Sequence, residues 1–244
     1  MSDKPARGGR RGREARKAQR ASTPVAVSPY IKRNIPCTQI LDEEGLQLIE
    51  ANADTILEET GIDFRGHARA LELWKEAGAD VDGERVRIPR GLAHKILKTA
   101  PREFTQHARN PARSVVIGGN NTVFAPVYGA PFVTDMERGR RYGTIEDFRD
   151  FVKLAYLEPN IHHSGGTVCE PVDLPVNKRH LDMVYSHMRW SDKAFMGSVT
   201  APERAADTIE MSEILFGKEF VDQNCVVINL INSNAPLVFD ATML

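Results

Sequence analysis

The chain has 244 residues, of which 41% are hydrophobic and 27% charged, with a net charge of −1. That length can bury one sizeable core or two small ones, and the composition is ordinary for a globular protein. No apolar run reaches the roughly 18 residues that a membrane-spanning helix needs, so no membrane partner is expected.

The charge is unevenly spread. Residues 1–22 hold eight basic and two acidic side chains, a net +6, which leaves −7 for the rest. An Arg- and Gly-rich tail without large apolar residues reads as a solvated, disordered arm. Contact with RNA is the alternative, because basic Gly-rich segments do bind single strands. Three cysteines, Cys37, Cys169 and Cys225, are odd in number and far apart, so neither a disulfide framework nor a local zinc site follows. Each reads as a small buried hydrophobe, and a reducing cytoplasm is the expected compartment.

After an extended lead-in, Asp42 opens a helix with Leu46, Ile49, Ala53, Ile56 and Leu57 at helical spacing and Gly61 as its stop. A second helix covers residues 67–77. "DVDGERVRIP" follows, in which Asp82-Gly83 between short β-like runs reads as a hairpin. A third, short helix spans residues 90–99, ahead of Pro101. These pieces form an α+β region over residues 23–117.

From residue 118 the rhythm changes. A strand is expected over residues 122–128, a break at Gly129 and a strand-like piece at 132–135. Thr144, Ile145, Glu146 and Asp147 form a capping-box-like start for a helix whose apolar face is Phe148, Phe151, Val152 and Ala155. "NIHHSGG" reads as a strand ending in glycines, followed by a helix over residues 177–189. "KAFMGSV" is the next strand, Thr200-Ala-Pro-Glu203 opens a helix ending near Gly217, and "VVINLIN" is a further strand. That strand is apolar on both alternating faces except at Asn229, as buried parallel strands are. Asp240 then stands as an N-cap before only four residues, so the sequence is expected to break off as an element begins.

Strict β/α alternation argues for parallel strands with right-handed crossovers. No G-x-G-x-x-G turn follows the first strand, which disfavours a doubly wound nucleotide-binding sheet. The expected fold class is α/β, with residues 118–244 forming about four of the eight strands of a (β/α)8 TIM barrel.

The pieces "ILEETGIDF", "ELWKEAGADVDGERVRIPR", "APREFTQHARNP", "GAPFVTDMERGRRYGTIEDF", "NIHHSGG", "MGSVTAPERAADTIEMSEILFG" and "VVINLINSNAPL", in this order, carry a resemblance. The chain from the Asp42 helix onward resembles the trimethylamine methyltransferase family, which includes glycine betaine and other quaternary-amine methyltransferases. The resemblance implies a (β/α)8 barrel that moves a methyl group from a methylated amine to the cobalt of a corrinoid (cobalamin) carried by a separate corrinoid-binding protein. No cofactor would be bound directly, and a homo-oligomer is expected of the full-length protein. It also implies a protein of roughly twice this length, of which this chain would be a truncated, N-terminal half. One branch of the family carries a pyrrolysine in the second half, past Leu244.

In such a reaction the cofactor supplies the nucleophile, so the protein must hold the cation, aim one methyl and exclude water. No Ser-His-Asp or Cys-His set is expected, and no catalytic residue is assigned. At the expected C-terminal strand ends stand Tyr128 and Gly129, then Gly165, Gly166 and Thr167, then Ser198 and Thr200, then Asn232 and Ser233. Tyr128 is the candidate cation-facing ring; packing beside the "GAPF" turn is its alternative. Glu170 could offset the substrate's charge or remain a solvated loop carboxylate, and Asn232 completes the substrate-binding candidates. Gly129, Gly165 and Gly166 are candidates for close corrinoid approach. A phosphate cradle at Gly165-Gly166 is weakened by Pro171 and Pro175, which delay the helix.

No protein-bound metal is expected. His162 and His163 are adjacent and point to opposite faces of a strand. His180 and His187 share a helix face without a carboxylate at ligand spacing, and read as surface or interface residues. Two other function classes stay open: a non-catalytic binding or assembly module with an unpaired edge at "VVINLIN", and RNA contact through the tail.

Overall fold

The computed structural model describes residues 31–36, 38–198, 200–234 and 237–244, so the basic tail and Cys37 lie outside the described residues. Strand β1 (Ile31–Lys32) pairs antiparallel with β7 (Asn121–Thr122). Asp42 then caps α1 (Glu43–Thr55) by accepting the Gly45 N–H at 2.8 Å. A π-helical turn, Ile56–Thr60, precedes Gly61, whose φ of +74° and 2.4 Å clearance between a built Cβ and the Val86 carbonyl oxygen leave room only for glycine. Of the apolar stripe read from the sequence, Leu57 reaches the core, whereas Leu46, Ile49 and Ile56 are exposed.

The α+β region assembles around Phe64, Val86 and Ile88. Strands β2 (Ile62–Phe64), β3 (Asp80–Asp82) and β4 (Arg85–Arg87) form one sheet, with α2 (Ala68–Ala77) packed on it through Trp74. Asp82 and Arg85 pair across a tight turn with Gly83 at φ +60°, which is the hairpin the Asp-Gly dipeptide indicates. Helix α3 (Leu92–Leu97) follows. Then β5 (Glu103–Gln106) and β6 (Val115–Gly118) make a second antiparallel pair.

Next come β8 (Phe132–Asp135) and β9 (Gly139–Tyr142), a hairpin, and α4 (Ile145–Leu157). Thr144 and Asp147 form a reciprocal capping box at the start of α4. The buried face is Phe148, Val152 and Ala155, with Phe151 at its margin. Helix α5 (Arg179–Trp190), β10 (Phe195–Met196), α6 (Pro202–Phe216), α7 (Lys218–Gln223) and β11 (Val227–Ile228) complete the alternation. Strand β12 (Val238–Phe239) then joins the N-terminal sheet beside β2, in parallel, and Phe239 stacks on Phe64. Asp240 caps the last turn, accepting the Thr242 N–H at 3.0 Å.

Hydrogen bonds order the expected strands side by side. Phe124 O accepts from His162 N and His163 N, at 2.9 and 3.1 Å, and Gly129 N donates to Thr167 O at 2.7 Å. Ser164 N donates to Ala194 O and Met196 N to Gly165 O, both at 2.8 Å. Phe195 pairs with Val227 in parallel, and Gly197 N reaches Ile228 O at 3.0 Å. Segments 122–129, 162–167, 194–198 and 226–228 therefore run parallel in chain order. The helices bury Phe148, Val152 and Met183 beside Val168 and Cys169, and pack Val184 and Met188 against Phe195 of the third segment.

The α/β expectation holds, but the described residues form five small sheets and not a closed barrel. Regular pairing is also shorter than expected at residues 122–128 and 162–166. Pro126 has no N–H to give, and two ladder donors go to side chains: Phe124 N to His162 Nδ1 at 3.2 Å, and Gly165 N to His163 Nδ1 at 2.9 Å. The strand expected over "VVINLIN" is regular only at Val227–Ile228, and residues 229–234 are exposed.

Candidate functional site at the open end of the parallel ladder

One end of the ladder is sealed. The β5–β6 hairpin and its turn lie against the N-terminal ends of the segments: Ala108 and Val115 bury with Ala194, and His107 N donates to Cys225 O at 2.7 Å. Arg113 and Asn110 hold Asp192, each at 3.1 Å. Gln106 is fully buried and donates to Phe195 O at 2.8 Å, while its carbonyl lies 3.1 Å from His163 Nε2. Since that carbonyl only accepts, His163 is the neutral Nε2–H tautomer. Burial, first, and then His187 lower its pKa to about 3.

The other, C-terminal end carries Tyr128, Gly129, Thr167 and Ser198. Tyr128 is 42% exposed. Gly129 has φ +84°, and no atom lies within 4 Å of where its Cβ would be. Gly165 and Gly166, in contrast, are buried: a Cβ would meet Val168 and Pro126 at 3.1 and 3.2 Å in the first case, and Met196 at 3.0 Å in the second. What these two glycines admit is the chain's own side chains. Asn232 is exposed beyond the last regular strand residue. Ser198 N donates to Thr208 Oγ1 at 3.2 Å. Thr200 accepts from Arg204.

Glu170 sits on the loop after the second segment, where its N–H donates to Ala130 O at 2.9 Å, two residues from Tyr128. Its carboxylate is paired with Arg179, the first residue of α5. A carboxylate and a guanidinium thus stand together at the open end. Arg179 Nε is buried without a hydrogen-bond partner.

Beneath this end the histidines of α5 are buried within the chain, which corrects the reading of His180 and His187 as surface or interface residues: they are 3% and 2% exposed. His180 Nε2 lies 2.6 Å from Asp207 of α6. His187 Nε2 lies 2.8 Å from Gly166 O and its Nδ1 2.7 Å from Ser164 Oγ. Sequence reasoning missed this pair because it counted only apolar residues on the buried face. His187 passes as apolar because both its nitrogens find partners, whereas His180 is buried with Nδ1 unpartnered. His162 and His163 do point to different partners, as the strand alternation indicates.

Openings lie beside the ladder among the described residues. A cavity of about 10 Å³ lies between Gly166, Thr167, Met196 and His187, enough for one water at most. An apolar cleft of about 430 Å³ lies between residues 126–130 and the flank of α4, lined by Phe151 and Leu154.

No free acid, base or nucleophile was found at the open end among the described residues. Ser164 is 0% exposed. Burial pushes the Cys169 thiol up to about 12, so it carries no thiolate at neutral pH. Such an end can bind, orient and exclude water.

Parallel β/α units sealed at their N-terminal ends belong to α/β proteins that present ligands at the carboxyl ends of the strands. The family follows from sequence comparison: the trimethylamine methyltransferase (MTTB) family model matches residues 9–244, and the chain belongs to that family. It is similar to a glycine betaine methyltransferase of Desulfitobacterium hafniense (strain Y51), with 47% identity over 211 residues, covering 86% of this chain and 44% of that protein. It is also similar to a proline betaine:corrinoid methyltransferase of Eubacterium limosum, with 27% identity over 173 residues, or 70% and 35% of the two chains. The chain spans less than half the length of both relatives.

Proposed function

We propose that this chain takes part in moving a methyl group from a quaternary amine of the glycine betaine type to a corrinoid carried by a partner protein. Its four parallel units would belong to a (β/α)8 barrel. The observation that carries the reading is the 47% identity to a glycine betaine methyltransferase. The corrinoid is suggested by the name of the second relative.

A corrinoid in the Co(I) state, brought by its carrier, would supply the nucleophile, and the methylated nitrogen would leave as a neutral amine. The chain's own tasks are therefore binding and aim. The face of Tyr128 attracts the ammonium, worth up to about 2 kcal/mol when water is excluded. Glu170 and Arg179 together complement a zwitterion, the carboxylate facing the ammonium and the guanidinium facing the betaine carboxylate. Asn232 would approach from the last segment.

A corrinoid is bulky and needs an uncrowded edge. Gly129 fits that need, with open space at its Cβ position. Gly165 and Gly166 have that space filled by Pro126, Val168 and Met196, so they would act by spacing the strands. Both described cysteines are free thiols, in keeping with a reducing cytoplasm.

The test incubates the protein with glycine betaine, proline betaine or trimethylamine and a corrinoid protein reduced to Co(I). The expected result is conversion of the cobalt spectrum to the methylated form with glycine betaine, together with dimethylglycine detected by mass spectrometry. Absence of both spectral change and calorimetric binding for all three amines would overturn the proposal.

A further inference from the structure

We infer that the outer face of the β8–β9 hairpin is the docking surface for the corrinoid-carrying protein, an inference that rests on the function proposed above. The hairpin follows Gly129 directly, so it rises from the open end of the ladder. Its base is tied there. Gly143 N donates to Pro131 O at 3.3 Å, Val172 N to Gly143 O at 3.0 Å, and Glu170 N to Ala130 O at 2.9 Å.

The two faces of the hairpin differ. On the inner face Val133 is buried with Ile145, Phe148 and Val168. Its cross-strand partner Arg141 grips Asp147 of α4 through two hydrogen bonds of 2.5 and 2.6 Å, and Asp135 at 3.1 Å. That grip fixes the hairpin on the helix. On the outer face Phe132 pairs with Tyr142, with ring centroids 4.7 Å apart, and the Arg140 guanidinium lies 4.0 Å over the Phe132 ring. Phe132 and Tyr142 are 36% and 58% exposed, and Met136 at the tip is fully exposed.

An anchored inner face under an exposed Phe, Tyr, Met and Arg is the composition of an interface centre. Position selects the occupant. The methyl acceptor is carried on another protein, so that protein must cover the end from which the methyl group leaves. The hairpin is continuous with that end and only three residues from Gly129. A carrier seated on the hairpin would bring its cofactor over Gly129.

The experiment measures affinity of the full chain for a purified, cobalamin-loaded corrinoid protein that serves glycine betaine methyltransferases. Wild type is compared with Met136→Asp, Tyr142→Ser and Arg140→Glu. These side chains point outward, so melting temperatures should be unchanged. The expected result is at least a tenfold loss of affinity in two of the three variants. Equal affinity in all variants, with wild type binding, overturns the docking surface and leaves the proposed function standing. A wild type that fails to bind overturns both. Loss of self-association in the variants, seen by sedimentation with affinity for the corrinoid protein retained, identifies a second copy as the occupant and likewise overturns the inference.

Discussion

Ser164 and His187 form a buried hydroxyl–imidazole pair, 2.7 Å from Oγ to Nδ1, in which the serine is the donor. The direction follows from the other nitrogen: Gly166 O can only accept, so His187 carries its proton on Nε2 and Nδ1 is left as acceptor. The pair has the atoms of a hydrolase dyad, buried inside the fold. Among the described residues no carboxylate orients the imidazole, and Ser164 is fully buried. The protein should therefore resist labelling by fluorophosphonate reagents. Ser164→Ala should cost about 1–2 kcal/mol of stability and His187→Ala about 3 kcal/mol, because each leaves buried partners unsatisfied. Denaturant midpoints check the second claim, and mass spectrometry after reagent exposure checks the first.

Acid should weaken the fold through the same histidines. Burial lowers the His187 pKa to about 4 and the His163 pKa to about 3, both below the ordinary value of 6.5. His162 is lowered too, by burial and by Lys193. Between those values and 6.5 the unfolded chain takes up protons that the native chain refuses. Stability present above pH 6.5 is thus lost progressively as pH falls towards 4, by about 1–2 kcal/mol for each of the two most buried rings at pH 5. Urea midpoints at pH 7.5, 6 and 5 should fall in that order. A flat profile in this window would show that the rings are charged in the native state.

Much of the organisation is written locally. Asp42, Thr144 with Asp147, Gly61, Gly83 and Gly217 act within a few residues of themselves, and the helices start, stop and turn where they indicate. Strand β9 is different, because "GRRY" has no apolar alternation and its place is fixed by Arg141 reaching Asp147 on the next helix. The return of Val238–Phe239 to β2 joins residues about 175 apart in the chain, and no local pattern encodes it. At the candidate site, Tyr128 and Gly129 stand at the open end as their place after an apolar run suggests. The Arg179 partner of Glu170 was missed because a first-turn helix residue and a loop carboxylate nine positions earlier share no periodic signal.

Lys193 carries the least sequence signal and a clear physical role. It is 4% exposed, and its ammonium donates to Ala155 O, Glu158 O and Ile161 O, at 2.6, 3.0 and 2.6 Å. These carbonyls belong to the last turn of α4 and the chain leaving it, where helix carbonyls lack partners and a cation is favoured. Lys193→Met should cost on the order of 1–3 kcal/mol at neutral pH. Burial, with Arg113 adding to it, lowers the lysine's pKa from 10.5 to about 8. Between pH 8 and 10.5 the unfolded chain holds a proton the native chain has released, so stability rises with pH in that window. The methionine variant should lose that slope, which melts at pH 7.5, 8.5 and 9.5 would reveal.

On the proposed function, the Glu170–Arg179 pair would separate recognition of charge from recognition of a zwitterion. Each group already neutralises the other, so a simple cation gains less from Glu170 than a betaine gains from both, since only the betaine can replace each partner with an opposite charge of its own. Arg179→Gln should therefore weaken glycine betaine binding by about tenfold, the worth of one charge-assisted hydrogen bond. Binding of tetramethylammonium, which has no carboxylate, should not weaken and should strengthen to the extent that Glu170 is freed of its partner. Glu170→Gln should weaken both ligands, and Tyr128→Ala should weaken both further, through loss of the ring face. Calorimetric titration of the two ligands against the three variants gives the comparison. A parallel loss of both ligands in Arg179→Gln would mean that the guanidinium holds the loop in place and does not meet the carboxylate.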